Sequence, residues 1–460
     1  MLFSSAGRPS RIARWIATAA FLAALGSAGG STGARADVAS WIVIDAETGA
    51  VLEQKDARRQ WYPASITKLM TAYLAFKAIR DGRATLDSAV AISVNARAQP
   101  PSKMGFKPGT QMTLDSALKM LIVKSANDIA VAVAETIGGS EPAFIEMMNA
   151  EARRLGMSAT RFVNPHGLPD NRQVSSARDL AVLGRTLWRE FPQYRSYFGL
   201  SAIRVGKKTL RSANREFLAR VRGANGMKTG YICNSGLNVV VSATRGGRTV
   251  MAVILGSASG VERAAKARKL IDDGFRKRSG RNIDALTGTA GGPPADGYCK
   301  RNTRPSAEEL MATFAGPQLR PSSALSFAQG DLASGGVRRP IVMQTPTVEA
   351  DGDDDVPTRD DGKTDWGKVM DEIIGPRQRG IEAVQVSLGM PKGKVGTAAA
   401  VAAIANAPLP RDKPVAANAS LLPASGAAAE AVEAVQPLPG AIFRGKPLLI
   451  APLPPPNPRP

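Results

Sequence analysis

Tyr62-Pro63-Ala64-Ser65-Ile66-Thr67-Lys68-Leu69-Met70-Thr71-Ala72-Tyr73 is the stretch on which the reading of the chain turns. Leu69, Tyr73, Leu74 and Ala78 recur at helical spacing, so a helix opens just after Pro63-Ala64. Upstream, Trp41 to Asp45, the turn Glu47-Thr48-Gly49 and Val51-Leu52 read as a β-hairpin. Downstream, roughly residues 64 to 190 look mostly helical. A second hairpin then follows, Leu237 to Ala243 and Val250 to Leu255 about the turn Arg245-Gly246-Gly247-Arg248. Val261 to Phe275 returns to helical spacing through Ala264, Ala265, Leu270 and Ile271. Strands at both ends of a segment with helices between them predict an α+β domain. Its one antiparallel sheet is closed by the two ends of the segment and covered by helices.

The helix that opens at this stretch places Ser65 and Lys68 three residues apart, on one face. A lysine held neutral by burial or by a nearby cation can take the serine proton, which activates the hydroxyl as a nucleophile. The helix N-terminus adds free N–H groups suited to a developing oxyanion. The competing reading makes Ser65 a helix cap and Lys68 a surface residue. Motif copies add to the ambiguity. Ser116-Ala117-Leu118-Lys119 repeats S-x-x-K, while Ser93-Val94-Asn95 and Ser212-Ala213-Asn214 repeat the S-x-N of Ser125-Ala126-Asn127. Lys228-Thr229-Gly230 occurs once, just before the second hairpin.

The 460 residues contain one histidine, so a zinc site of the H-E-x-x-H type is excluded. That residue, His166 in the turn Asn164-Pro165-His166-Gly167, reads as structural. A formal charge of +21 ordinarily suggests nucleic acid, but the N-terminus argues otherwise. Arg8, Arg11 and Arg14 precede a short apolar run, Ile16 to Leu25, and then Ala34-Arg35-Ala36. Residues 1–36 therefore read as a cleaved secretory signal. Its removal takes four arginines and no acid, lowering the charge from +21 to +17. For an exported basic protein, anionic wall polymer or a membrane surface is the expected contact, and the alternative is charge that serves only solubility. Composition changes after residue 277: 23 of the 32 prolines lie beyond it. Three segments are thus expected: the signal, a globular domain over 37–277, and a largely disordered Pro/Ala-rich extension over 278–460. In that extension Asp365 to Ile374 could form a short helix but has no core to pack on.

The three motifs in this order resemble those of serine D-alanyl-D-alanine carboxypeptidases, the low-molecular-mass penicillin-binding proteins of peptidase family S11. Their surroundings, among them Leu121-Ile122-Val123-Lys124-Ser125-Ala126-Asn127-Asp128, Phe162-Val163-Asn164-Pro165-His166-Gly167-Leu168 and Gly226-Met227-Lys228-Thr229-Gly230-Tyr231, continue the likeness over about residues 38 to 277. The resemblance implies the penicillin-binding protein/β-lactamase-like transpeptidase fold, an antiparallel sheet with an all-helical subdomain. It implies Ser65 as nucleophile, Lys68 as general base and Ser125 as proton relay. Asn127, Lys228, Thr229, Gly230 and Tyr231 become the substrate-binding residues, with the backbone N–H groups of Ser65 and Tyr231 as oxyanion hole. It implies no metal or other cofactor. Peptidoglycan stem peptides would be the substrate, β-lactams covalent inhibitors, and the periplasm the compartment.

The sequence departs from the family at Asn225, where an acidic residue is common, and at Ile232-Cys233-Asn234. Three alternatives share the motifs: a D,D-endopeptidase on cross-links, a class A-like β-lactamase and an inactive wall-binding scaffold. No E-x-x-L-N segment lies between Ser125 and Lys228, which counts against the β-lactamase. In an oxidising periplasm Cys233 and Cys299 could pair and tie the start of the extension beside the site, or remain two thiols.

Overall fold

The computed structural model describes residues 38–315 and 356–390. The signal segment 1–36, the acidic run Asp351 to Asp355 and the stretch Ala398 to Pro410 lie outside the described residues. Strands β1 (Ser40–Asp45) and β2 (Val51–Lys55) form the first hairpin, whose turn is held by the Asp45 carboxylate accepting from Glu47 N and Thr48 N. A 3-10 turn, Ala64–Thr67, runs straight into helix α1 (Lys68–Arg80). Helices α2 (Leu114–Val123), α3 (Asn127–Gly138), α4 (Glu141–Arg154) and α5 (Ala177–Glu190) follow. A small hairpin, β3 (Ala202–Val205) with β4 (Lys208–Arg211), leads to three long strands, β5 (Ala224–Ile232), β6 (Gly236–Arg245) and β7 (Arg248–Ser257). Helix α6 (Gly260–Arg276) completes the region predicted as globular. Thr113, Ser140, Ser176 and Ser259 cap α2, α4, α5 and α6 through their hydroxyls, satisfying N–H groups that a helix start leaves open.

The five-stranded sheet has the order β2-β1-β7-β6-β5, so the first hairpin docks on the second by antiparallel pairing of β1 with β7. This is the closure by chain ends that the two hairpins predict. Alternation along the strands separates two cores. Ile42, Ile44, Val240, Met251 and Val253 face α1 to α5. Trp41, Val43, Val239, Val241, Ala252 and Ile254 face α6. Because both faces are covered, Ile42, Val43 and Ile44 are all fully buried, each such side chain contributing about 1.5–3 kcal/mol.

The boundary expected at residue 277 is corrected by the structure. Helices α7 (Ala307–Phe314) and α8 (Trp366–Ile373) pack into the second core, with Leu310, Val369 and Ile373 buried. Strand β8 (Ala383–Val386) then pairs in parallel with β3. The reason is local: Val369 and Ile373 are four apart and form one apolar helix face, a signal lost when composition is averaged over the whole extension. Arg220, itself buried, bonds Asp371 and the Gly375 carbonyl and so fastens this segment to the domain. Cys233 and Cys299 form a disulfide across 66 residues of sequence. Among the described residues, no helix is long and apolar enough to cross a membrane.

Candidate active site

Three pieces of chain meet between the helical region and the edge strand β5. The first is the 3-10 turn, which enters α1 without any side-chain cap. Ser65 is therefore not spent on helix capping, and its Oγ accepts from Lys68 Nζ at 2.9 Å. Lys68 is no surface residue: it is 0% exposed and also donates to Asn127 Oδ1 at 2.8 Å and to the His166 carbonyl at 2.6 Å. The second piece is the junction of α2 and α3, where Ser125 adopts a left-handed φ of 61° and Asn127 starts the next helix. The third is β5, from which Lys228 Nζ donates to Ser125 Oγ at 2.8 Å and to the Thr229 carbonyl at 3.0 Å. Two serine–lysine pairs thus stand side by side, with Asn127 touching the first.

Close backbone packing holds the Ser65 turn. A Cβ on Gly230 would fall 2.8 Å from the Pro63 carbonyl and 3.1 Å from Ser65 N, so only glycine lets β5 come this near. On the other side a Cβ on Gly167 would overlap the Ala64 carbonyl. Ala64 itself has φ 49°, a conformation costly for a residue with a side chain. Asn238 reaches from β6 to donate to the Tyr62 carbonyl at 2.9 Å, and Thr71 Oγ1 donates to the Pro165 carbonyl at 2.6 Å. Tyr231, one residue past this contact, is 57% exposed beside the site.

Burial sets the charge states. Both amines lie where an ammonium ion is poorly solvated. Burial, then the Lys228 charge, holds Lys68 well below the ordinary lysine range, while Asp128 opposes the shift. Lys228 is pushed down to about 7, first by burial and then by Arg263, which burial in turn lowers to about 10. Asp128 does not neutralise Lys68 by direct contact. Its carboxylate accepts instead from the N–H groups of Met104, Gly105 and Ile129, anchoring the loop that passes Asn127. His166 is pushed down to about 3 by burial and by Lys68, so it stands neutral, its Nδ1 accepting from Leu168 N.

Ser65, Lys68, Ser125, Asn127, Lys228, Thr229, Gly230 and Tyr231 therefore lie in one corner. The other motif copies do not. Ser116 is inside α2 with Lys119 paired to Asp115, Ser93 caps a short helix, and the Ser212 hydroxyl accepts from Asn214 N. Arg263 escaped the sequence reading, because its position in the first turn of α6 carries no mark of a neighbour on β5. The His166 carbonyl escaped it too, since a backbone acceptor is invisible to residue type. Asn225, the departure near the third motif, hydrogen-bonds Thr244 Oγ1 at 2.8 Å across the sheet.

A family model described as D-alanyl-D-alanine carboxypeptidase matches residues 30–259. The carboxypeptidase DacC of Escherichia coli is 34% identical over 246 residues, 52% of this chain and 62% of its own length. The chain thus spans less than two thirds of that relative. DacB2 of Mycobacterium tuberculosis is 31% identical over 220 residues, 47% of this chain and 74% of its own length. Among solved structures, penicillin-binding protein 6B of Escherichia coli superposes with a TM-score of 0.50 at 34% identity, over 52% of this chain and 77% of that one. Penicillin-binding protein 5 of Haemophilus influenzae gives 0.50 at 31%, over 54% and 73%.

Proposed function

This chain belongs to the D-alanyl-D-alanine carboxypeptidase family, with the penicillin-binding-protein fold, and we propose that it removes the terminal D-alanine of peptidoglycan stem peptides through an acyl-enzyme on Ser65. The observation that carries the reading is the buried pair of serine–lysine contacts, Lys68 to Ser65 and Lys228 to Ser125, in which burial and mutual repulsion favour a neutral Lys68.

In this mechanism neutral Lys68 takes the Ser65 proton as Oγ attacks the carbonyl of the penultimate residue. Backbone N–H groups of Ser65 and Tyr231 receive the oxyanion, each such donor being worth about 2.7–4 kcal/mol in the transition state. Ser125, hydrogen-bonded to Lys228, passes a proton to the departing amine. Lys228 and Thr229 hold the terminal carboxylate, Gly230 admits the close approach of β5, and Asn127 exchanges its Pro100 contact for the substrate amide. Water then releases the acyl group and restores Ser65. Residues 1–36 would export the chain to the periplasm, where its positive charge favours anionic wall or membrane surfaces.

Incubating the full chain and its Ser65→Ala variant with a fluorescent penicillin, followed by peptide mass spectrometry, tests the assignment. Adduct on the wild-type peptide containing Ser65, none on the variant, and D-alanine release from a peptide ending in D-Ala-D-Ala are expected. An equal signal from both proteins would sink it.

A further inference from the structure

The segment carrying Cys299 lies beyond the residues that the family model matches, yet it is built against the turn that follows Tyr231 and against Trp61, four residues before Ser65. Cys233 is two residues past Tyr231, at the turn between β5 and β6. Besides the disulfide, Cys299 N donates to the Cys233 carbonyl at 2.9 Å. Asn234 Nδ2 donates to Asp296 Oδ1 at 2.6 Å, and its Oδ1 accepts from Gly297 N at 2.9 Å. Residues 296–299 thus grip Cys233 and Asn234 through the disulfide and three hydrogen bonds.

Tyr298 extends the grip inward. Its hydroxyl donates to the Gly256 carbonyl at 2.9 Å, where Asn302 Nδ2 donates as well, also at 2.9 Å. The ring sits edge-on to Trp61, with centroids 5.1 Å apart and planes at 87°. Two glycines make room for it: a Cβ on Gly236 would fall 3.0 Å from Tyr298 Cε1, and one on Gly256 would fall 2.9 Å from its hydroxyl. Trp61 is fully buried, donates through Nε1 to the Ser235 carbonyl at 3.0 Å, and stands four residues before Ser65. Tyr298 and Trp61 thereby join the β5–β6 turn to the chain entering the nucleophile turn. Because even a Cβ added to Gly230 would fall 3.1 Å from Ser65 N, the two backbones leave little gap, and a shift of the turn is passed to Ser65 rather than absorbed.

We propose that the Cys233–Cys299 disulfide and Tyr298 form a positioning brace that sets the Tyr231 N–H against the Ser65 turn, so that the extension tunes turnover rather than merely adding stability. The proposal rests on the function assigned above. Without the brace, substrate binding through Lys228 and Thr229 would persist, whereas the alignment of the Tyr231 and Ser65 N–H groups that the tetrahedral intermediates need would relax. Both acylation and deacylation pass through such an intermediate, so both should slow together while substrate affinity holds.

The test compares the oxidised full chain, the chain reduced by a dithiol and alkylated, Cys299→Ser, Tyr298→Ala and Tyr298→Phe, all with melting curves recorded. Reduction moves two electrons and two protons from the dithiol to the protein disulfide, the dithiol closing to its own cyclic disulfide. With the brace broken, kcat on a D-Ala-D-Ala peptide should fall about 10-fold, a part of the 10²–10³ that loss of a whole oxyanion donor costs. Penicillin acylation and deacylation should fall by the same factor and KM should stay within twofold. Tyr298→Ala should behave alike with the disulfide intact, and Tyr298→Phe should recover most of the rate because it keeps the ring against Trp61. Should the thiol forms unfold, Tyr298→Ala decides. A folded variant with kcat within twofold of wild type overturns the brace, as does a change confined to KM. If the oxidised chain forms no Ser65 adduct and releases no D-alanine, the assigned function falls, and the brace with it.

Discussion

The corner around Ser65 and the face of the sheet covered by α6 both bury cations, and they treat them in opposite ways. Behind the sheet the buried Arg220 meets Glu216 and Asp371, and the partly exposed Arg248 and Arg245 meet Asp45 and Asp272, so each of these guanidinium groups lies beside a carboxylate. In the corner Lys68 and Lys228 are buried as deeply as Arg220, but their direct partners are hydroxyls, an amide and carbonyls. Asp128, the acid that acts on Lys68, is occupied by backbone N–H groups. Partner chemistry thus separates these three arginines from the two lysines.

Exchanging the two kinds of cation should break this contrast most severely. Lys68→Arg places in the corner a group that does not deprotonate, and acylation by a penicillin should fall about 10³-fold with the fold retained in circular dichroism. An equal rate would mean that Lys68 is not the base. The largest effect behind the sheet is one of stability: Ile373→Ala should cost about 2–5 kcal/mol in denaturant unfolding, while acylation per folded molecule is unchanged. No loss of stability there would return the domain boundary to residue 277.

Next in size is a shift in pH dependence. Lys228→Gln removes the like charge that helps depress Lys68, so Lys68 protonates more readily and the rising limb of acylation moves to higher pH. For Lys228 itself the folded value near 7 lies below the unfolded 10.5, so the native state binds fewer protons in that window. Wild-type stability therefore rises as pH is raised from about 7 towards 10.5, and the variant should show a shallower rise in thermal melts. The smallest effect belongs to Asp371→Asn, about 1 kcal/mol because this carboxylate is half exposed and water can replace it at Arg220. A loss of activity from it would contradict the separation of the two regions.

How far the sequence could be read follows from how local each signal is. The two hairpins and α1 show themselves through alternation and helical spacing within a dozen residues, and the order of three short motifs marks the corner. Arg263 acts on Lys228 from another element, and nothing in its neighbours announces that. The second core's use of Val369 and Ile373 is just as quiet, two residues inside a long stretch whose average reads as unable to fold. Ser116-Ala117-Leu118-Lys119 shows the reverse case, a motif that spacing permits and that only the third dimension dismisses, since Lys119 turns to Asp115.

Ala64 carries a consequence for how such an enzyme decays. Its left-handed backbone stores about 1 kcal/mol that glycine would release, and glycine's greater freedom in the unfolded chain returns roughly 0.5–1 kcal/mol of that. The methyl group makes no hydrogen bond, so Ala64→Gly is close to neutral by heat while it loosens the turn that aims Ser65. A lineage selected only to stay folded could drift through this position unnoticed, losing the aim of Ser65 before losing any of its thermal robustness.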